Sequence, residues 1–84
     1  MRVEFTEPVR LKLRKYGKTV RLLVGMEIRK FQDGSEVDMK KLKGSLDKWR
    51  ISAGAWRIIL KQSKEDTETV YSIIGVVQRK DAYK

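Results

Sequence analysis

Apolar residues recur with helical spacing as far as Phe31 and alternate with polar ones from Trp49 onward, and this single change of period narrows the possible folds more than any other feature. Val9, Leu13 and Tyr16 fall at i, i+4 and i+7, which predicts a first helix from about Glu7 to Tyr16 that stops at Gly17. Thr6 stands where an N-cap belongs, with Glu7 favourable to the helix dipole and Pro8 tolerated in the first turn. Val20, Leu23, Val24, Ile28 and Phe31 form the stripe of a second helix, with Thr19 as its expected cap and Asp33-Gly34 as its expected end. Gly25 interrupts that helix at a cost of about 1 kcal/mol relative to Ala, a cost that a close packing contact would explain. The connection of a residue or two folds the pair into an antiparallel hairpin.

In front of the helices, Val3 and Phe5 alternate with Arg2 and Glu4, predicting a short strand within Met1 to Thr6. Behind them, strands are expected over Lys48 to Ala53, Ala55 to Gln62 and Thr69 to Gln78, separated by Gly54 and by the polar stretch Ser63 to Glu68. The expected class is therefore α+β: a short N-terminal strand, an antiparallel helical hairpin, then a three-stranded antiparallel meander, with the helices on one sheet face and the other face free. Alternation puts Trp49 and Ile51 in one row and Trp56, Ile58 and Leu60 in the next, and these apolar rows should meet the helices. Arg50, Ser52, Arg57 and Lys61 then line the open face. A chain of 84 residues has room for one domain, spanning 1–84, and one modest core, so a site should be a surface groove.

Twenty Lys and Arg against eleven Asp and Glu give a net charge of +9, which draws the chain to polyanions: nucleic acid, the ribosome or an acidic protein. With no Cys there is neither a disulfide framework nor a thiolate zinc site, and with no His the commonest general acid-base is missing. Chemistry here falls to Arg, Lys, Tyr, Ser or carboxylates. The apolar runs are far shorter than the roughly 20 residues a membrane span needs, so no membrane partner is expected and the cytoplasm is the expected location. A cluster of guanidiniums with one phenol suits a phosphodiester better than a carbonyl or a sugar.

Four short motifs follow one another in the second half: Leu42-Lys43-Gly44, Trp49-Arg50-Ile51, Trp56-Arg57-Ile58-Ile59, and Gln78-Arg79-Lys80-Asp81-Ala82-Tyr83. In their order and spacing, residues 39 to 84 resemble the RelE/ParE superfamily of small bacterial and archaeal toxins. Its members typically read Lys-Leu-Lys-Gly, Trp-Arg-Ile/Leu-Arg, Tyr-Arg-Ile-Ile-Tyr and Gly-His-Arg-Lys-Asp-Val-Tyr. The resemblance implies a RelE-like fold and the toxin of a type II toxin-antitoxin pair. Its ribonuclease members cleave messenger RNA on the ribosome, the 2′-hydroxyl attacking the adjacent phosphate to leave a 2′,3′-cyclic phosphate and a free 5′-hydroxyl. No metal and no cofactor are implied. The ParE branch, which poisons DNA gyrase, and a degenerate fold that only binds antitoxin or RNA are the alternatives.

Carried over by motif, Arg57 matches the arginine expected at the scissile phosphate, Arg79 the second catalytic arginine, and Tyr83 the tyrosine that stacks on a base or moves a proton. Arg50 matches a basic strand position. The chain departs from the pattern at Ser52, where relatives often carry a second cation, and at Val77 and Gln78, which replace Gly and His. Trp56 and Leu60 replace the two tyrosines; Trp49 and Trp56 are expected in the core. Lys40, Lys41, Lys43, Lys48, Lys61, Lys80, Arg10 and Arg14 are the expected RNA- and ribosome-binding cations, positioning the protein without specifying sequence. The implied partners are an acidic RelB-like antitoxin, the ribosome with its message, and operator DNA only through the antitoxin complex.

Overall fold

The structure, a computed structural model, describes residues 1–81. Its elements run β1 (Arg2–Phe5), α1 (Glu7–Tyr16), α2 (Lys18–Gln32), β2 (Met39–Lys41), β3 (Lys48–Ala53), β4 (Trp56–Glu65) and β5 (Glu68–Gln78), followed by a 3-10 turn over Arg79–Asp81. One five-stranded sheet in the order β1-β5-β4-β3-β2 takes up all the strands. β1 runs parallel to β5, and every other neighbouring pair is antiparallel. This is the expected α+β arrangement, with β2 added at the far edge.

The helices form as their spacing predicts, but neither starts with a side-chain cap. Thr6 does stand at the N-cap of α1, yet its hydroxyl donates to the Ile73 carbonyl of β5 at 2.9 Å, so it ties the helix to the sheet. Gly17, at φ 93°, reverses the chain in one residue and serves as N-cap of α2; Thr19 therefore lies inside the first turn and caps nothing. α2 ends at Asp33, whose N–H donates to the Arg29 carbonyl at 2.9 Å. Gly25 is a further correction: it faces outward, and a Cβ there would meet nothing within 4 Å, so no close packing within this chain explains it.

Val9 of α1 and Val24 and Ile28 of α2 pack onto Ile51, Ala53, Ile58, Leu60, Ile73 and Val76, all buried on one face of the sheet. Strand alternation explains the choice, since Ile51, Ile58 and Val76 lie directly across from one another. Burial of a full-sized aliphatic side chain contributes about 1.5–3 kcal/mol, so this cluster is what holds the hairpin to the sheet. The polar loop expected over Ser63 to Glu68 is instead a continuation of β4 and β5, closed by the two-residue turn Asp66-Thr67 with Asp66 at φ 56°. Between Leu60–Ile73 and Ile59–Gly75 the register slips by one residue, leaving Ile74 as a bulge. No helix among the described residues is long and apolar enough to cross a membrane.

Candidate RNA-binding and active site

The β3–β4 hairpin fixes the site. Gly54, at φ 61°, opens the two-residue turn Gly54-Ala55, a conformation that suits glycine at the first central position. Immediately after it, Arg57 points back under the turn. Its Nη1 donates to the Gly54 carbonyl at 2.9 Å and to the Trp56 carbonyl at 2.8 Å. Register places Arg57 opposite Ser52 on the face away from the helices, as alternation predicts, yet it is only 7 % exposed and is the one buried charged residue among those described. Its Nε is buried without a hydrogen-bond partner. A guanidinium held this way has Nη1 fixed on the protein and three N–H groups, the one on Nε and the two on Nη2, left for acceptors.

The end of β5 closes on the same turn. The Arg79 N–H donates to the Ala55 carbonyl at 2.8 Å, so the exposed Arg79 side chain starts beside the loop that holds Arg57. Arg50 lies on the face of Ser52 and Arg57, and its Nη1 donates to the Ser52 hydroxyl at 3.1 Å. Ser52, where the resemblance leads one to expect a cation, thus serves as an acceptor for Arg50 on the face that Arg57 shares. Of the four residues expected from the motifs, Arg50 and Arg57 share one face of the β3–β4 pair and the backbone of Arg79 starts beside the same turn; the fourth, Tyr83, falls outside the described residues.

Beyond this corner the open face is strongly cationic. Lys40 stands opposite Arg50, and Lys48 opposite Lys61. Like charges directly across a strand pair destabilise it, by some tenths of a kcal/mol, and no carboxylate among the described residues bridges Lys48 and Lys61. β2, β3 and β4 carry no acidic residue before Glu65. The far corner reverses the sign: Arg2 pairs with Glu4 at 2.8 Å, with Glu68 at 3.5 Å and with Glu65. The Glu65 hydrogen bond is the main cause holding the Arg2 guanidinium above its ordinary pKa.

The remaining expected cations are not gathered on this face. Lys41 lies on the opposite side, its ammonium 5.8 Å from the centre of the Trp49 ring. Lys43 is in the exposed β2–β3 connection, Lys80 in the final turn, and Arg10 and Arg14 are exposed on α1, in the helical layer. Sequence reasoning missed β2, which brings Lys40 onto the sheet beside Arg50, and it missed a hollow of about 760 Å3 at the turn, lined by Ala55, Trp56, Gln78, Arg79 and Lys80. Trp56 is half-buried here and forms part of a wall.

No family model and no curated protein matches the chain. Among solved structures it is similar to a chain of the RelB-RelE antitoxin-toxin complex from Methanococcus jannaschii, with a TM-score of 0.66 and 22 % identity over 94 % of this chain and 93 % of that one. The fold is RelE-like.

Proposed function

We propose that this chain, built on a RelE-like fold, is the toxin of a type II toxin-antitoxin pair: an endoribonuclease that cuts messenger RNA on the ribosome. The observation that carries the proposal is Arg57, buried under the β3–β4 turn with one edge on two carbonyls and its Nε unsatisfied, beside the strand end that carries Arg79. With Nη1 fixed on the two carbonyls, the plane of the guanidinium is set and its Nη2 group is left to meet a phosphate oxygen.

In this reading the nucleotide's own 2′-hydroxyl attacks the adjacent phosphorus, the P–O5′ bond breaks, and the products are a 2′,3′-cyclic phosphate and a 5′-hydroxyl. Arg57 and Arg79 stabilise the charge that builds on the equatorial oxygens, an effect worth about 3–4 kcal/mol for each preorganised donor. Arg50 adds positive potential, and Tyr83 orients the nucleotide or passes a proton. Lys40, Lys48 and Lys61 extend the phosphate track across the open face, while Arg10, Arg14, Lys41, Lys43 and Lys80 supply contacts to ribosomal RNA elsewhere. An acidic antitoxin that covers these cations silences the protein.

Primer extension on a message translated in a purified cell-free system, with wild type and Arg79→Ala compared, tests the proposal. Ribosome-dependent breaks that vanish in the variant support it. Intact message with folded wild-type protein rejects it and shifts the function to gyrase poisoning or to binding alone.

A further inference from the structure

The hollow beside Arg79 has an aromatic wall for which phosphate chemistry has no use. Trp56 and Gln78 are cross-strand partners at the ends of β4 and β5, on the face opposite Arg57, and Ala55 of the turn that holds Arg57 lines the same hollow, as does Arg79. A second hollow of about 350 Å3 shares Trp56, Gln78 and Lys80 and adds Tyr16, Val77 and Asp81. The indole is braced: its ring centroid lies 4.7 Å from that of Tyr16, with 47° between the planes. Tyr16 is itself fixed, its hydroxyl donating to the Val76 carbonyl at 3.3 Å. The carbonyl of Trp56 accepts from Arg57 Nη1, so the indole and the guanidinium are held by one turn.

We infer that this hollow seats one unpaired base of the bound RNA, stacked on Trp56, next to the phosphate held by Arg57 and Arg79; the inference rests on the RNA-cleaving function proposed above. Proteins that hold single strands combine a cationic track with aromatic platforms, because every base has a π-face. Both parts line the hollow, Arg79 and Lys80 as the cations and Trp56 as the aromatic residue. The Gln78 carboxamide offers a donor and an acceptor to a base edge, which an apolar protein side chain would leave unanswered. Trp56 is therefore a positioning residue that bears on which nucleotide flanks the cut.

The test uses a short 2′-O-methylated RNA, which binds without being cut, and follows the two indole N–H signals of the wild-type protein by NMR, Trp49→Phe serving to assign them. The Trp56 signal should shift on titration, and Trp56→Leu should weaken RNA binding roughly 5- to 150-fold while Trp56→Phe restores most of it. Should Trp56→Leu fail to fold, the wild-type titration decides alone. A Trp56 signal that stays in place while the RNA binds, or one that moves only with an apolar peptide, overturns the inference. In that case continued cleavage of translated message leaves the proposed function standing; a folded protein that neither binds RNA nor cuts message removes both.

Discussion

Replacing Arg57 by alanine removes two hydrogen bonds to the Gly54 and Trp56 carbonyls as well as a charge. Bonds from a charged donor contribute about 1.5–3 kcal/mol each, so the variant should lose about 3–6 kcal/mol of stability along with its activity. For a chain of this size that lowers the thermal midpoint by at least about 12 °C, readable by circular dichroism. Arg79→Ala is the cleaner probe. Its side chain is exposed and only its backbone N–H is bonded to Ala55, so stability should stay within about 0.5 kcal/mol of wild type while the cleavage rate falls about 100- to 1000-fold. Equal loss of stability in the two variants would mean that Arg79 is structural. Alternation in the sequence placed Arg57 on the open face correctly but gave no sign of its burial, because a turn two residues away creates that burial.

Helix boundaries were legible because their signals are local: Gly17 ends α1 and Asp33-Gly34 ends α2. Strand β2 was not, since its three residues include only Met39 as an apolar member and it forms by pairing with β3. The outer part of the β4–β5 hairpin was missed for a related reason. Residues 63–68 are all exposed, so no apolar face marks them, and backbone pairing alone keeps them as strand. Two glycines should respond in opposite directions. Gly25→Ala, on the outward face of α2, is expected to raise stability by about 0.5–1 kcal/mol, whereas Gly17→Ala, forced to φ 93°, should lower it by about 1–2 kcal/mol, both measured by urea unfolding. On the open face, Lys61→Gln relieves the repulsion with Lys48 and should leave the sheet a few tenths of a kcal/mol more stable. The same change should weaken RNA binding and make its salt slope shallower by about 0.7, because one fewer phosphate is neutralised.

Across the whole molecule, the open face is divided between a cationic region on β2, β3 and β4 and a carboxylate corner around Arg2. Under the proposed function, an RNA strand would be drawn to the first and turned away from the second, which would give it one favoured path toward Arg57 and Arg79. The class of fold could be read from periodicity, and motif order singled out Arg57 and Arg79, whose backbones the structure sets at one turn. The direction of the path could not, because it depends on pairing β1 with β5 at the other end of the chain. That pairing joins Arg2 to Val70 and Phe5 to Ile73, contacts of very long sequence separation. Refolding should accordingly take milliseconds to seconds, not microseconds, in stopped-flow experiments. It also governs timing during synthesis. β5 is made after every other strand yet lies between β1 and β4, and Arg79 follows it directly. A nascent chain still lacking β5 has neither the strand that joins β1 to β4 nor Arg79, so under the proposed function it could not act until β5 has been made.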